Sequence, residues 1–517
     1  MTADRKGQRL TGIRSVAVIG AGISGILATK YLVQEGLEVT VFERNEQAGG
    51  IWIYDERKPV EPPYTVTKPL ETAQALLPRY QKNDGDAIIP AEEVLKYSPP
   101  GACYNSLTNN FSLASMEIKD HPWLWDIALS SPDKPEDPSE WTTHRNILTY
   151  VQSAASKFGL EERVHYRTNV ERVEKKATKW VVSTGTLAPI ESETVDESQY
   201  RLLFRTWEFD AVVVANGHYQ VPRLPPIPGL ATWRKAYPNR VEHSKGYRRP
   251  DPYAGKNVLL VGAGTSSTEI ARELGPIAHK IYQSGRGTPF ELPVDFIPEN
   301  CQRIGEIASF DLLQRNNLDC ENIGSIPGTV TLKDGTVLSD IDMVIVCTGY
   351  HFTYPFLPEL HADEDSAGVD LEKVLVRDGS CTLNLHKDMF YLPDPTLAFV
   401  GVSLFISTFT FFEFQAIAIA AVFSGRASLP SPDVMRAHYE QRLASRGPTR
   451  MMNARMDEEV SYVDEIVGWL NESDPMGHVE GFTPKWHAAR DIGKLEKIRA
   501  RFARGKAEQE RATSLPN

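Results

Sequence analysis

Two copies of one local pattern constrain this chain more than anything else in it. Ser15 to Ile19 is a short apolar run; then come Gly20-Ala21-Gly22-Ile23-Ser24-Gly25, a helical pattern through Ile26, Leu27, Tyr31 and Leu32, and a second apolar run from Val39 to Phe42. The same order returns at Asn257 to Val261, Gly262-Ala263-Gly264-Thr265-Ser266-Ser267, Ile270 to Leu274 and Lys280 to Ser284. Strand, glycine turn, helix and strand make a βαβ unit, and such units build parallel sheets. The expected fold is therefore α/β with two Rossmann-like dinucleotide-binding domains. At 517 residues the chain has room for both. The expected division puts residues 1–217 and 351–517 in a first dinucleotide-binding domain, with a second of residues 218–350 inserted. Arg223 to Gly229, reading RLPPIPG, has the Pro and Gly content of a linker.

The first turn asks for an ADP moiety. Gly20 makes the turn, Gly22 lets backbone amides approach a pyrophosphate, and the helix N-terminus favours its charge. Ala21, Ser24 and Gly25 belong to the same turn. Glu43, 23 residues after Gly20, ends the second strand where a carboxylate accepts hydrogen bonds from an unphosphorylated ribose, and Arg44 follows it. FAD or NAD fits here; a glycine turn that only packs helix on strand is the plain alternative. The second turn keeps Gly262 and Gly264 with Ser266 beside them, but puts Ser267 at the third position. Its second strand ends in Ser284-Gly285-Arg286. A carboxylate there would repel a 2′-phosphate, whereas Arg286 can pair with it, so this site reads as NADPH unless Arg286 is only a solvated surface residue. Two dinucleotides in one chain imply electron transfer between them.

Composition narrows the rest. With 56 Lys plus Arg against 68 Asp plus Glu, the net charge of −12 argues against a nucleic-acid binder. Five widely spaced cysteines form neither a disulfide framework nor a metal-ligand set, which fits a reducing, cytoplasmic setting. Met1 to Arg14 lacks the apolar core of a secretory signal. Phe399 to Phe423 has the length of a membrane span but contains Glu413. It is better read as a buried strand (Thr396 to Val402) followed by a buried helix (Phe411 to Phe423). Lys58 to Pro100 is Pro-rich and is expected to be a surface excursion. His144 to Phe158 reads as a helix, Trp180 to Val182 and Ala211 to Ala215 as strands, and the tail from Lys485 as a solvated helix with a frayed end.

Over nearly its whole length the chain resembles the flavin-containing monooxygenases, most closely in pattern the fungal members. Gly49-Gly50-Ile51-Trp52 is similar to the family's flavin-site turn, which implicates Gly50 and Trp52. Tyr237 to Tyr247 resembles the family's linker motif at His243 and Tyr247 but departs from it at Tyr237 and Asn239. Ala215-Asn216-Gly217-His218, Cys347-Thr348-Gly349-Tyr350 and the stretch from Leu392 to Ala416 also match. By the resemblance, Val170 contacts the FAD adenine, Gln415 belongs to the cofactor site, and a catalytic asparagine lies beside the flavin. Register selects Asn110 for that role, although the Thr-Asn dipeptide is Thr108-Asn109. The implied reaction is NADPH-dependent. Hydride passes to FAD, dioxygen adds to the reduced flavin, and the resulting 4a-hydroperoxide oxygenates a soft nucleophilic nitrogen or sulfur of a small molecule. The resemblance implies no metal; the family's animal members end in a hydrophobic anchor, which the polar stretch Ala507 to Asn517 is not expected to provide. A homo-oligomer is compatible with it.

Two rival readings stand beside this one. A Baeyer–Villiger monooxygenase would insert oxygen beside a ketone, but its linker usually carries Trp and then Pro or Asp where this chain has Tyr247-Arg248. A non-enzymatic flavoprotein sensor would not need the second turn. Disulfide reductases are disfavoured, since no cysteine pair lies near residue 50.

Overall fold

The computed structural model describes residues 7–76, 87–123, 142–190, 199–313, 324–362, 368–456, 458–474 and 477–491. Both glycine-turn units form where the apolar runs place them. The first is strand β1 (Ser15–Ile19), helix α1 (Ile23–Gln34) and strand β2 (Glu38–Phe42); the second is strand β3 (Asn257–Val261), helix α2 (Thr265–Leu274) and strand β4 (Lys280–Ser284). After their first residues β1 and β3 are buried throughout, which is why they read as unbroken apolar runs and not as alternating ones.

β1 pairs in parallel with β2 on one side and with Ala211–Val214 on the other, so that Ile19 stands opposite both Phe42 and Val214. β3 repeats the arrangement: Val261 stands opposite Ser284 of β4 and Val346 of Met343–Val346. Each central strand thus ends at a point where the chain departs to either side, and ligands of open α/β sheets bind in that crevice. The first sheet has seven strands, in the spatial order 385–386, 390–391, 397–399, 211–214, β1, β2 and 164–165. The second has five, in the order 241–243, 343–346, β3, β4 and 301–304.

Gly20 (φ +104°) and Gly262 (φ +113°) serve the same backbone purpose. A Cβ on either would lie 2.6 Å from the Ala215 carbonyl oxygen or 2.7 Å from that of Cys347. At the third position the units part. A Cβ on Gly25 would fall 1.8 Å from the Gly20 oxygen, whereas Ser267 is accommodated and clips α2 to β4. Its hydroxyl donates to the Gly264 carbonyl (3.1 Å) and accepts from Gln283 Nε2 (2.7 Å).

The segment that imitated a membrane span divides into strand Leu397–Phe399 and helix α3 (Thr408–Phe423). No helix among the described residues is long and apolar enough to cross a membrane. α3 packs against α1 and carries Glu413 inward to Lys30 Nζ (3.0 Å), the Tyr31 hydroxyl (2.7 Å) and the Lys119 backbone N–H (2.9 Å). A buried carboxylate is tolerable because it is this fully matched.

The Pro-rich stretch is more ordered than expected. Helix Pro69–Leu76 buries Thr72 and Ala73 completely, strand Ala87–Pro90 joins an antiparallel sheet beside Gln199–Phe209, and helix Ala91–Tyr97 seats the Tyr97 hydroxyl on the Gly185 carbonyl at 2.6 Å. Two of its prolines start helices: Pro69 opens one and Pro90 stands at the N-cap of the next. Helix His144–Lys157 and strand Lys179–Pro189 form as expected, and the linker from Arg223 to Gly229 contains no regular element before helix Leu230–Ala236. The helix Pro484–Asp491 is not simply solvated, since Trp486 is buried, stacks on Phe482 at 3.6 Å and donates to Thr410 Oγ1. The rest of the tail, and Cys320, lie outside the described residues.

Candidate active site

The crevices of the two sheets open into the same cavity, of about 2360 Å³. Of the residues expected there, Gly20, Gly22, Ser24, Glu43, Arg44, Gly50, Trp52, Val170, Gly262, Gly264, Ser266, Ser284, Arg286 and Asn110 line it. Ala21, Gly25, Ser267, Asn109 and Gln415 do not, and each has a visible occupation elsewhere.

At the first turn the Glu43 carboxylate is buried and aimed by three N–H donors. Oε2 accepts from the Ala21 backbone (2.7 Å), and Oε1 from the backbone and side chain of Asn45 (both 2.8 Å). A carboxylate offers about four acceptor positions, so Oε2 keeps one for a ribose hydroxyl. Gly50 (φ +57°) lies so close that its Cβ would meet Gly22 Cα at 2.9 Å, and the Gly49 N–H donates to the Ala21 carbonyl (3.0 Å). The turn before Trp52 is therefore laid directly on the first glycine turn. The Arg44 guanidinium is held below its usual value by burial, with Glu43 beside it opposing the shift.

At the second turn the Ser284 hydroxyl donates to the Gly305 carbonyl (2.9 Å). Arg286 is exposed; its backbone N–H is held by Glu291 Oε1 (2.6 Å), while its guanidinium makes no hydrogen bond with the described residues.

The two asparagines have different surroundings. Asn109 is 1% exposed and spent on the backbone: Oδ1 accepts from the Thr142 N–H (2.7 Å), and Nδ2 donates to the Phe111 carbonyl (2.6 Å). Asn110 is exposed to the cavity, and its amide makes no hydrogen bond with the described residues. Gln415 is fully buried behind the wall, where Oε1 accepts from the Gly401 N–H (3.3 Å) and Nε2 donates to the Tyr462 hydroxyl (3.1 Å).

Two histidines are fixed as neutral rings. His243 donates from Nε2 to the Gly349 carbonyl (3.1 Å), so Nδ1 is left to accept the Lys245 N–H (3.1 Å); burial takes it down to about 3. This bond ties the linker to the end of the 343–346 strand. His218 donates from Nδ1 to the Gly401 carbonyl (3.2 Å), and burial, aided by nearby Arg450, lowers it to about 4. Its Nε2 is then a buried acceptor without a protein partner, in a residue that lines the cavity. Arg450, Tyr219, Phe290 and Phe405 also line the cavity and were missed in the sequence. Three sit in loops and Arg450 opens a short helical turn, and no repeat or spacing marks them.

The glycine cradles that no Cβ could enter, the aimed Glu43, the free guanidinium of Arg286 and the orphaned His218 nitrogen all fit two bound dinucleotides. Fold and site together define a two-cofactor flavoprotein oxidoreductase. The flavin-binding monooxygenase-like family model matches residues 13–63, 124–293 and 322–478. Flavin-containing monooxygenase ustF2 of Aspergillus flavus is 35% identical over 499 residues, covering 92% of this chain and 96% of its own. The chain belongs to this family: it is an enzyme, a flavin-dependent monooxygenase with FAD and NADPH as cofactors. Among solved structures, S-allyl-L-cysteine S-oxygenase from Allium sativum is similar with a TM-score of 0.64 and 25% identity, covering 95% of this chain and 99% of that one. A cyclohexanone monooxygenase shares the fold at a TM-score of 0.53 and 13% identity, covering 88% and 97%. The segment 64–123, which carries both asparagines, lies outside the matched stretches.

Proposed function

We propose that this monooxygenase transfers one oxygen atom of dioxygen to a nucleophilic nitrogen or sulfur of a small molecule. The observation that carries the reading is the shared cavity, in which both glycine turns and the unspent amide of Asn110 meet. The likeness to an S-oxygenase supports sulfur or nitrogen over a ketone.

The chain's own residues bind, orient and shield. Gly20, Gly22 and the start of α1 receive the FAD pyrophosphate, Glu43 its ribose, and Val170 with Trp52 its flanks. Gly262, Gly264, Ser266 and Arg286 receive NADPH, the last through its 2′-phosphate. Bound flavin supplies the redox and oxygen chemistry. Asn110 can donate from its amide and accept through its carbonyl without placing a charge beside the reacting atoms. Gln415 acts indirectly, by holding the Gly401 backbone that also receives His218. We divide the chain into a FAD domain of residues 1–217 and 351–517 and an NADPH domain of residues 218–350, supported by the strands of the five-stranded sheet all falling between 241 and 346. A cytoplasmic setting is supported by Cys103, Cys301, Cys347 and Cys381 being buried and unpaired.

The test is turnover of a panel of amines, thioethers and ketones with NADPH under isotopically labelled dioxygen. An N- or S-oxide carrying one labelled oxygen is the expected product. An ester or lactone from the ketones alone would assign the enzyme to Baeyer–Villiger chemistry instead.

A further inference from the structure

Arg450 stands in the cavity wall without a counter-ion among the described residues. It opens the short turn Arg450–Met452, makes no hydrogen bond or ion pair with the described residues, and has a buried Nε without a partner. Burial holds its guanidinium below the usual arginine value; Tyr219 nearby opposes that shift and Arg223 adds to it. Two other guanidiniums, those of Arg455 and Arg248, are buried and matched. Arg455 lies 2.9 Å from Asp388, and Arg248 donates to the carbonyls of Arg57, Gly101, Lys245 and Tyr247.

What surrounds Arg450 is aromatic. Its guanidinium carbon lies 5.6 Å from the ring centre of Phe290 and 5.7 Å from that of Phe405, and these rings stack on each other at 5.2 Å and 7°. Phe290 follows β4 of the second unit, and Phe405 follows the 397–399 strand of the first sheet, so the stack joins the walls of the two cofactor sites. Phe405 is held at φ +61°, a left-handed conformation that costs a residue with a side chain. A half-buried cation whose Nε has no partner among the described residues is unfavourable, as is the strained backbone of the aromatic beside it, and an anion at the edge of the guanidinium would offset the first while its face stays on the rings.

We propose that Arg450, backed by the Phe290–Phe405 stack, is the substrate's anion site: the molecule oxygenated carries a carboxylate that the guanidinium grips as a fork. The proposal rests on the oxygenation reading above and names the class of substrate for it. A planar guanidinium matches a carboxylate bidentately and stacks on aromatic faces at the same time. The other anions the cavity would receive are the two pyrophosphates and the 2′-phosphate, and these already have the Gly20 turn with α1, the Gly262 turn with α2, and Arg286.

The test compares wild type, Arg450→Met and Arg450→Lys. The panel is small amino-acid thioethers, S-methyl-L-cysteine and S-allyl-L-cysteine among them, each as free acid and as methyl ester. Wild type is expected to favour the acids by about tenfold in kcat/KM, Arg450→Met to lose that preference while still accepting the esters, and Arg450→Lys to retain part of it. The acids are also expected to raise the melting temperature of the wild-type holoenzyme and not that of Arg450→Met, a readout independent of turnover. Anaerobic flavin reduction by NADPH is expected to be unchanged in Arg450→Met. Equal treatment of acid and ester by wild type overturns the proposal, as does a preference that survives in Arg450→Met. A loss of NADPH affinity of tenfold or more in Arg450→Met assigns the residue to the cofactor and overturns it too. Wild type that takes up labelled oxygen with none of the panel, acid or ester, while its melting temperature still responds to the acids, refutes the oxygenation reading and leaves the anion site standing.

Discussion

Replacing Asn109 and Asn110 one at a time by Leu separates a fold-holding amide from a working one. Asn109→Leu removes the acceptor of the Thr142 N–H at 2.7 Å and the donor to the Phe111 carbonyl at 2.6 Å, at a position that is 1% exposed. Each buried group left unpaired costs about 1–3 kcal/mol, and the Phe111 carbonyl can find other donors, so the loss should come to about 2–4 kcal/mol. For a cooperative unit of 150–250 residues that lowers the melting temperature by roughly 4–16 °C, and by less in a larger one. Asn110→Leu touches no hydrogen bond among the described residues and should stay within about 0.5 kcal/mol of wild type. In a coupled assay of NADPH consumed against product formed, Asn110→Leu should keep FAD and still consume NADPH, but release hydrogen peroxide in place of product. Asn109→Leu should lose stability first and remain coupled at temperatures where it is folded. The reasoning is refuted if Asn109→Leu is as stable as wild type and uncoupled while Asn110→Leu is coupled.

Four further outcomes are expected. Purified protein should be yellow, and acid precipitation should release all the FAD into the supernatant; flavin that stays with the pellet would show a covalent link. Gly25→Ala places a Cβ 1.8 Å from the Gly20 oxygen, so it should abolish flavin binding or folding, seen as colourless or insoluble protein. Arg286→Ala should weaken NADPH by about tenfold and leave NADH unchanged, the lower end for a charge-assisted pair because the side chain is exposed; equal losses would make Arg286 structural. Burial raises the Glu61 carboxyl to about 7, against the opposing hydrogen bond from the His243 N–H. The folded chain therefore holds this proton longer than the unfolded one, and stability should fall as pH rises from about 4.5 to 7 and level off above that. Glu61→Gln should match wild type near pH 4.5 and melt higher at pH 8; identical pH profiles would sink this assignment.

The two βαβ units were legible because each combines a physical necessity, a glycine where no Cβ fits, with apolar runs that need a doubly covered sheet. Their strand limits could be read almost residue for residue, as at Ser15–Ile19 and Lys280–Ser284. The short helices within the Pro-rich stretch were not legible because Pro disrupts a helix interior but suits its first turn, and local sequence does not say which applies at Pro69 or Pro90. The single charge in α3 had no visible partner in the sequence, since Lys30 lies 383 positions away. Within the site, register pointed to Asn110 and the Thr-Asn dipeptide to Asn109; the sequence did not show that Asn109 is buried and Asn110 exposed. Arg450 carried no signal, because an unpaired guanidinium is defined by what fails to surround it.

The most direct test of the account is to reduce the protein anaerobically with one equivalent of NADPH and mix it rapidly with oxygenated buffer, following flavin absorbance and hydrogen peroxide together. The account predicts a transient absorbance distinct from oxidised and reduced flavin, slow peroxide release, and faster decay without peroxide when an oxygenated substrate is present. Reoxidation in one phase, with peroxide appearing at the same rate and no effect of any amine or thioether, would contradict it.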